Sequence, residues 1–244
     1  MNKPFYMMPC AGLANRIRSM VSAMCYAQDA GIKLHVLWRQ EPGICMAPFY
    51  SIFGMTPEWM VVDDIVGHPV WPWKEVFTEE GFREVKDTKP LLIKSHQIFY
   101  KKGTDQWFET LRTLKIKWDI VEAAEDLITA PNFVGVHIRR TDHTKATQHS
   151  PSWSFWSAMD KCPPDTKFYL ATDDLVEREE AVRRYGDRII YGPKKLLGRN
   201  SPDGCKDAML DMICLSSCSE IIGSYASSFS EMAAALGNVP LKIA

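Results

Sequence analysis

The chain has 244 residues, 46% of them hydrophobic, enough for one large domain or two small ones with packed cores; this excludes wholesale disorder. Lys and Arg number 29 against 30 Asp and Glu, a formal net charge of -1, so nothing argues for a nucleic-acid or membrane-surface partner and any anion site must be local. The 7 cysteines (Cys10, Cys25, Cys45, Cys162, Cys205, Cys214 and Cys218) form no Cys-x-x-Cys pair and have no matching His ligands. They read as buried, reduced thiols, with no metal expected.

The first residues carry one Lys and no apolar stretch adequate for a signal peptide. No apolar run approaches the ~20 residues of a membrane span. A soluble, cytoplasmic protein without a transmembrane segment is the expectation.

Residues 5–8 predict a short strand that feeds the small-residue turn Pro9-Cys-Ala-Gly-Leu-Ala-Asn15. Ile17, Met20, Val21, Met24 and Ala27 then recur at helical spacing, and Gly31 stops the helix. Residues 34–38 predict the next strand, completing a β-turn-α-β unit of a parallel sheet. Residues 41–90 are crowded with prolines and aromatics; 59–62 predict a strand and the remainder reads as irregular. Its aromatics either line an acceptor groove or cap the edge of a core, the second being the commoner use. A strand over 91–95 and helices over 107–114 and 118–128 follow.

The second half alternates regularly. Strands over 133–138, 168–171, 188–191 and 220–223 are each followed by a helix, over 153–162, 175–185, 206–217 and 228–236, with a last strand near Leu241. This pattern predicts a doubly wound α/β half. The boundary between halves falls within 114–131, giving an N-terminal half over 1–120 and a C-terminal half over 121–244.

Four stretches lie at strand-to-helix corners, the edge where open α/β sheets bind ligands. Gly12-Leu-Ala-Asn15-Arg16 opens the first helix, where unpaired N–H groups attract anions; an ordinary tight turn capped by Asn15 fits as well. The strand over 133–138 runs into Arg139-Arg140-Thr-Asp142, placing fixed positive charge at the sheet edge. Alternation puts His137 and Arg139 on one side and Arg140 on the other. In Ala171-Thr-Asp173-Asp174 the carboxylates either meet a ribose, a metal or the arginines, or cap the next helix. Asp207 and Asp211 share a helix face, and Ser224-Tyr-Ala-Ser-Ser-Phe-Ser230 offers hydroxyls and helix N–H groups to a phosphate.

Together, Gly12-Leu-Ala-Asn-Arg16, His137-Ile-Arg-Arg-Thr-Asp142, Ala171-Thr-Asp-Asp174, Asp211 and the serine-rich turn resemble the superfamily of GDP-fucose-dependent fucosyltransferases. That superfamily spans alpha-1,6 enzymes of the nodulation type, alpha-1,2 enzymes and protein O-fucosyltransferases. The resemblance covers most of the second half and the first thirty-odd residues; His-x-Arg-Arg-x-Asp is its most specific piece. It implies a compact α/β, GT-B-like fold of two Rossmann-like halves with mainly parallel sheets, the N-terminal half on the acceptor side and the C-terminal half binding the donor. It further implies an inverting, metal-independent glycosyltransferase without a cofactor, using GDP-fucose or a related nucleotide sugar and a glycan or glycolipid acceptor. His137 and Arg139 would then contact the diphosphate, with Arg140 a second contact or an organiser. Asp211 would read the guanine edge, Ser227 and Ser228 would bind the β-phosphate, Asp173 would join the donor site, and Gly12 and Asn15 would approach from the other half.

The chain departs from the family pattern at three places. Alpha-1,6 members carry Lys and Glu after the Arg pair where this chain has His143 and Thr147, so the acceptor base falls to His143, Asp142 or His149. The alpha-1,2 group has Gly at the place of Thr141, and the chain is short for the fold. Two readings of other kinds stand beside the transferase: a nucleotide- or phospho-ligand-binding protein without turnover, and a Mg²⁺-dependent phosphatase built on Asp173-Asp174. The second lacks further metal ligands.

Overall fold

The structure, a computed structural model, describes residues 5–66, 72–88, 90–130, 132–141, 144–193 and 200–244. It divides into two compact units, one of Met1–Lys117 with Arg199–Lys206, the other of Trp118–Gly198 with Asp207–Ala244. Each holds one parallel sheet.

In chain order the first unit contains β1 (Phe5–Pro9), α1 (Leu13–Ala30), β2 (Leu34–Gln40), α2 (Phe49–Ile52), β3 (Met60–Val66), β4 (Lys74–Glu75), α3 (Glu79–Val85), β5 (Leu91–Ser95) and α4 (Asp105–Arg112). Among the described residues its sheet has five strands in the order β3-β2-β1-β5-β4, all pairings parallel. The apolar stripe of α1 is buried as its spacing predicts, and Gly31 ends the helix in the left-handed region (φ 60°), where Gly pays no steric penalty.

The stretch over 41–90 is less irregular than its composition suggests, since α2, β4 and α3 all form within it. Its aromatics mostly go inward. Phe49 stacks on Phe53 at 4.7 Å and both meet Trp38 edge-on, all three buried to within 1% of full cover. Trp71 lies outside the described residues.

The second unit contains α5 (Trp118–Leu127), β6 (Val134–Ile138), α6 (Thr144–His149), α7 (Ser152–Met159), β7 (Phe168–Thr172), α8 (Leu175–Tyr185), β8 (Ile189–Ile190), α9 (Pro202–Ser216), β9 (Glu220–Gly223), α10 (Ser228–Gly237) and β10 (Leu241–Ile243). The boundary between units falls inside α9, between Lys206 and Asp207. The strand order is β10-β9-β6-β7-β8, again all parallel. The sheet therefore reverses its winding between β6 and β9, and the crevice at their carboxyl ends is the switch point where such sheets take ligands.

Alternation along β6 decides what faces each layer. Val134, Val136 and Ile138 pack with Phe155, Trp156, Met159, Leu170 and Ala181. Gly135 and His137 face the other way. A Cβ on Gly135 would stand 2.9 Å from the end of the Leu215 side chain of α9, so a larger residue there would make that side chain shift. Gly223 of β9 is more tightly held, with Ser230 Oγ and Cβ and a Leu241 methyl 2.7–2.8 Å from where its Cβ would be.

Candidate active site at the β6–β9 switch point

Beyond Ile138 the backbone of β6 leaves the sheet but stays tied to β9 by one buried hydroxyl. Ser224 Oγ accepts the Arg139 N–H at 2.8 Å and donates to the His137 carbonyl at 3.1 Å. Ser224 is fully buried. The two loops at the switch point are thus clamped in register.

His137, 6% exposed, places Nδ1 2.7 Å from Ser230 Oγ and its ring 4.8 Å from Phe229. The partner fixes which nitrogen of the ring faces α10 and hence the ring's orientation.

The adjacent arginines part as alternation predicts for Arg140. It turns to the Phe155 face, its guanidinium 5.5 Å from that ring. Its Nε donates to Glu177 at 2.6 Å, Nη1 to the Arg139 and Ser150 carbonyls at 3.0 and 3.1 Å, and Nη2 to Ser152 Oγ at 3.2 Å. Both side chains of the Arg140–Glu177 pair are about nine-tenths buried (8% and 11% exposed). Arg140 holds the loop together.

Arg139 lies at the crevice, its side chain 15% exposed, with Nη1 on Asp173 Oδ2. Asp173 also accepts the Arg140 N–H at 2.9 Å and the Thr141 hydroxyl at 2.7 Å. Of the four uses the sequence left open for Asp173-Asp174, the structure fills two. Asp173 grips the arginine loop, and Asp174 caps α8 by accepting the Val176 and Glu177 N–H groups at 2.7 and 3.4 Å.

Across the crevice, Ser224-Tyr-Ala-Ser227 turns into α10 through Ala226, a non-Gly residue in the left-handed region (φ 50°). Ser227 occupies the cap position without spending its side chain on capping, and Ser228 is the first helical residue. Both stand where α10 presents unpaired N–H groups and the positive end of its dipole. Asp211, 4% exposed on α9, accepts the Tyr169 hydroxyl at 2.8 Å. Burial, reinforced by the Asp211 charge, holds that phenol well above its ordinary pKa, so it stays a donor.

In the first unit the turn after β1 passes through Ala11, also left-handed (φ 64°), to Gly12, the cap residue of α1. Asn15 is therefore not the cap; it sits in the first turn, with its Oδ1 buried and unpartnered among the described residues. Arg16, fully buried, folds back to donate Nε to the Ala11 carbonyl at 2.7 Å, reaches the Arg39 carbonyl and Glu41, and lies 5.3 Å over Trp38. Sequence reasoning assigned no separate role to Arg16, Glu177, Ser224 or Ser230. Asp174-x-x-Glu177 has the spacing of a capping box, which is the signal for Glu177. Asp142 and His143, named from sequence as base candidates, lie outside the described residues. His149 ends α6 with its ring 4.6 Å from Tyr225 of the serine-rich turn. Among the described residues no three His, Cys, Asp or Glu side chains group as metal ligands do, and no helix is long and apolar enough to cross a membrane.

No protein-family model matches the chain, and no curated protein does. Solved structures do. NodZ alpha-1,6-fucosyltransferase co-crystallised with GDP superposes with a TM-score of 0.66 at 19% identity, covering 95% of this chain and 92% of that one. The chain has the fold of GT-B fucosyltransferases. POFUT1 in complex with GDP matches with a TM-score of 0.58 at 13% identity over 99% of this chain and 98% of its own. A variant of Arabidopsis thaliana FUT1, also with GDP, gives 0.66 at 13% over 100% and 70%. These likenesses confirm the GT-B-like architecture of two Rossmann-like halves expected from the motifs.

Proposed function

We propose that the protein is an inverting glycosyltransferase that moves fucose from GDP-fucose to a glycan or glycolipid hydroxyl. The observation that carries this reading is the clamped switch point of the second sheet, where Ser224 ties the Arg139 backbone at the end of β6 to the turn that leads from β9 into α10. A nucleoside diphosphate needs fixed positive charge and N–H donors of that kind. The GDP and GDP-fucose complexes of the proteins with this fold support the choice of donor.

In the reaction the acceptor oxygen attacks the anomeric carbon, the bond from that carbon to the diphosphate breaks, and GDP leaves with the bonding electrons. Negative charge grows on the diphosphate as the sugar becomes oxocarbenium-like. Arg139 and the N–H groups at Ser227 and Ser228 stabilise that charge, which makes the transfer independent of a metal and of any cofactor. His137 contacts the diphosphate, its ring oriented by Ser230. Arg140 organises the loop through Glu177, and Asp173 positions Arg139. Asp211, set by Tyr169, accepts N–H groups of the guanine edge. The donor thus belongs to the second unit and the acceptor to the first, whose Gly12 and Asn15 form an anion-binding turn. His143 takes the acceptor proton, an assignment resting on its place in sequence after the Arg pair. The seven scattered cysteines, with no Cys-x-x-Cys pair, support a cytoplasmic setting.

The test is transfer or hydrolysis of GDP-fucose, followed as GDP release. Arg139→Ala should cut the rate ~100-fold or more, the cost of removing one preorganised charge-stabilising donor; a loss within about twofold would sink the role of Arg139. The engagement of Arg139 by Asp173 favours, as second reading, a nucleotide-binding protein without turnover. GDP release above the uncatalysed rate excludes it.

A further inference from the structure

We propose that the cleft between α7 and α8 in the second unit is a binding site for an acidic sugar residue of a glycan. The cleft has a volume of about 420 Å³, the size of a small-ligand site. Trp153, Trp156, Ser157, Asp160, Lys161 and Arg184 line it. Arg139, Asp211, Ser227 and Ser228 do not, so it is separate from the switch point. The spacing of 153, 156, 157 and 160 turns one face of α7 toward the cleft. The Asp160 and Lys161 N–H groups extend that face by donating to the Trp156 and Ala158 carbonyls at 2.9 and 3.3 Å.

Several of these groups are held in place. The Arg184 guanidinium lies 5.6 Å from the centre of the Trp156 ring, with its Nε on Glu180 at 2.5 Å. The Tyr185 hydroxyl donates to the Trp156 carbonyl at 3.2 Å and to Asp160 Oδ1 at 2.8 Å. Burial, reinforced by Asp160, raises that phenol, so it stays a donor. Trp156 is only 5% exposed, yet its indole N–H has no partner among the described residues and is not sealed in the core; it opens to the cleft.

The groups left without partners describe the ligand. Among the described residues the Trp156 N–H, the Ser157 hydroxyl and the Lys161 ammonium donate to no side chain or backbone, while Asp160 Oδ2 is the one carboxylate oxygen of the lining left open. Trp153, 70% exposed, adds a flat apolar face. A pyranose ring has a face of C–H groups that covers an indole and a rim of hydroxyls that need both donors and acceptors. A neutral ring would leave Lys161 without a counter-charge. A carboxylate on the ring, as in a hexuronate, supplies it together with the extra acceptor oxygens that this donor-rich lining requires. The inference does not depend on the transferase reading.

The experiment is a titration of the isotope-labelled full chain with trigalacturonate, followed by the indole N–H signals in NMR spectra, with maltotriose as the neutral comparison. Trp153→Phe and Trp156→Phe assign the two signals. Both should move with trigalacturonate while the remaining indoles stay, and binding should weaken as salt rises. Trp153→Ala and Lys161→Gln, both at exposed positions, should each weaken binding about tenfold, and maltotriose should bind about tenfold more weakly than trigalacturonate. Fixed Trp153 and Trp156 signals at millimolar trigalacturonate overturn the inference. Equal affinity for maltotriose overturns the acidic assignment. Binding untouched by Trp153→Ala overturns the sugar face, since charge alone would then account for it. The wild-type titration decides even where a variant fails to fold.

Discussion

Arg140 donates its Nε to Glu177 at 2.6 Å where both side chains are almost closed to solvent, and so anchors the loop that carries Arg139 to the start of α8. Ser152 Oγ reaches the same Glu177 oxygen. Removing one member leaves the other charge buried and uncompensated. Glu177→Ala should therefore cost about 3–5 kcal/mol of stability, read as a lowered urea midpoint. Retention of the wild-type midpoint would mean that water replaces the carboxylate and that the pair is not an anchor.

Arg139 and Asp173 make a contrasting pair, because Arg139 stands at the crevice. Arg139→Ala should leave stability from urea melts within about 1 kcal/mol of wild type, because Asp173 keeps the Arg140 N–H and the Thr141 hydroxyl, while abolishing most GDP affinity. Asp173→Ala should lose both, since its carboxylate also holds the Arg140 N–H and the Thr141 hydroxyl. Calorimetric titration of both variants with GDP, beside their melts, separates the ligand contact from the positioning residue. The opposite pattern would exchange their roles.

Much of the fold was legible because it is local. β5, β9 and α8 have the bounds their apolar runs and flanking punctuation predict. α3 escaped because it buries only Phe82 and so shows no apolar stripe, although Thr78 caps it. α2 and α6 are too short for a period to show. At the site, the residue types at each strand end were legible but their partners were not. Nothing within the sequence pairs Arg140 with Glu177 or His137 with Ser230; the parallel register of β6 with β7 and β9 does. Of the two uses left open for Asn15, helix cap or part of an anion-binding turn, the first falls because Gly12 occupies the cap position.

Two glycines hold the layers of the second unit together. A Cβ on Gly237 would fall 1.9 Å from the Ser216 carbonyl oxygen, a backbone atom that cannot step aside. Gly237→Ala should cost about 3 kcal/mol or more, beyond ordinary overpacking. Gly223→Ala meets only side-chain atoms and should cost about 1–3 kcal/mol. Equal melting temperatures for the two variants would contradict the distinction.

His96, at the carboxyl end of β5, has its pKa lowered by burial and by Arg18. The unfolded chain then binds a proton at a higher pH than the native state does. Stability from this group is full above the ordinary imidazole range, near pH 6.5, and is lost as pH falls toward the lowered native value. His96→Gln should flatten the fall in Tm between about pH 7 and 5. An unchanged slope would show that His96 carries none of it.

The central claim is that the β6–β9 switch point is built for GDP. The most direct measurement is the thermal shift of the wild-type protein with GDP, UDP, ADP and dTDP, each with and without Mg²⁺. At 100 times its dissociation constant a ligand adds ~2.7 kcal/mol of stability, a readily measured shift. The account predicts stabilisation by GDP above the other nucleotides, without need of Mg²⁺, and its loss in Arg139→Ala. A preference for UDP or dTDP would keep the fold and discard the donor, and no response to any nucleotide would contradict the account.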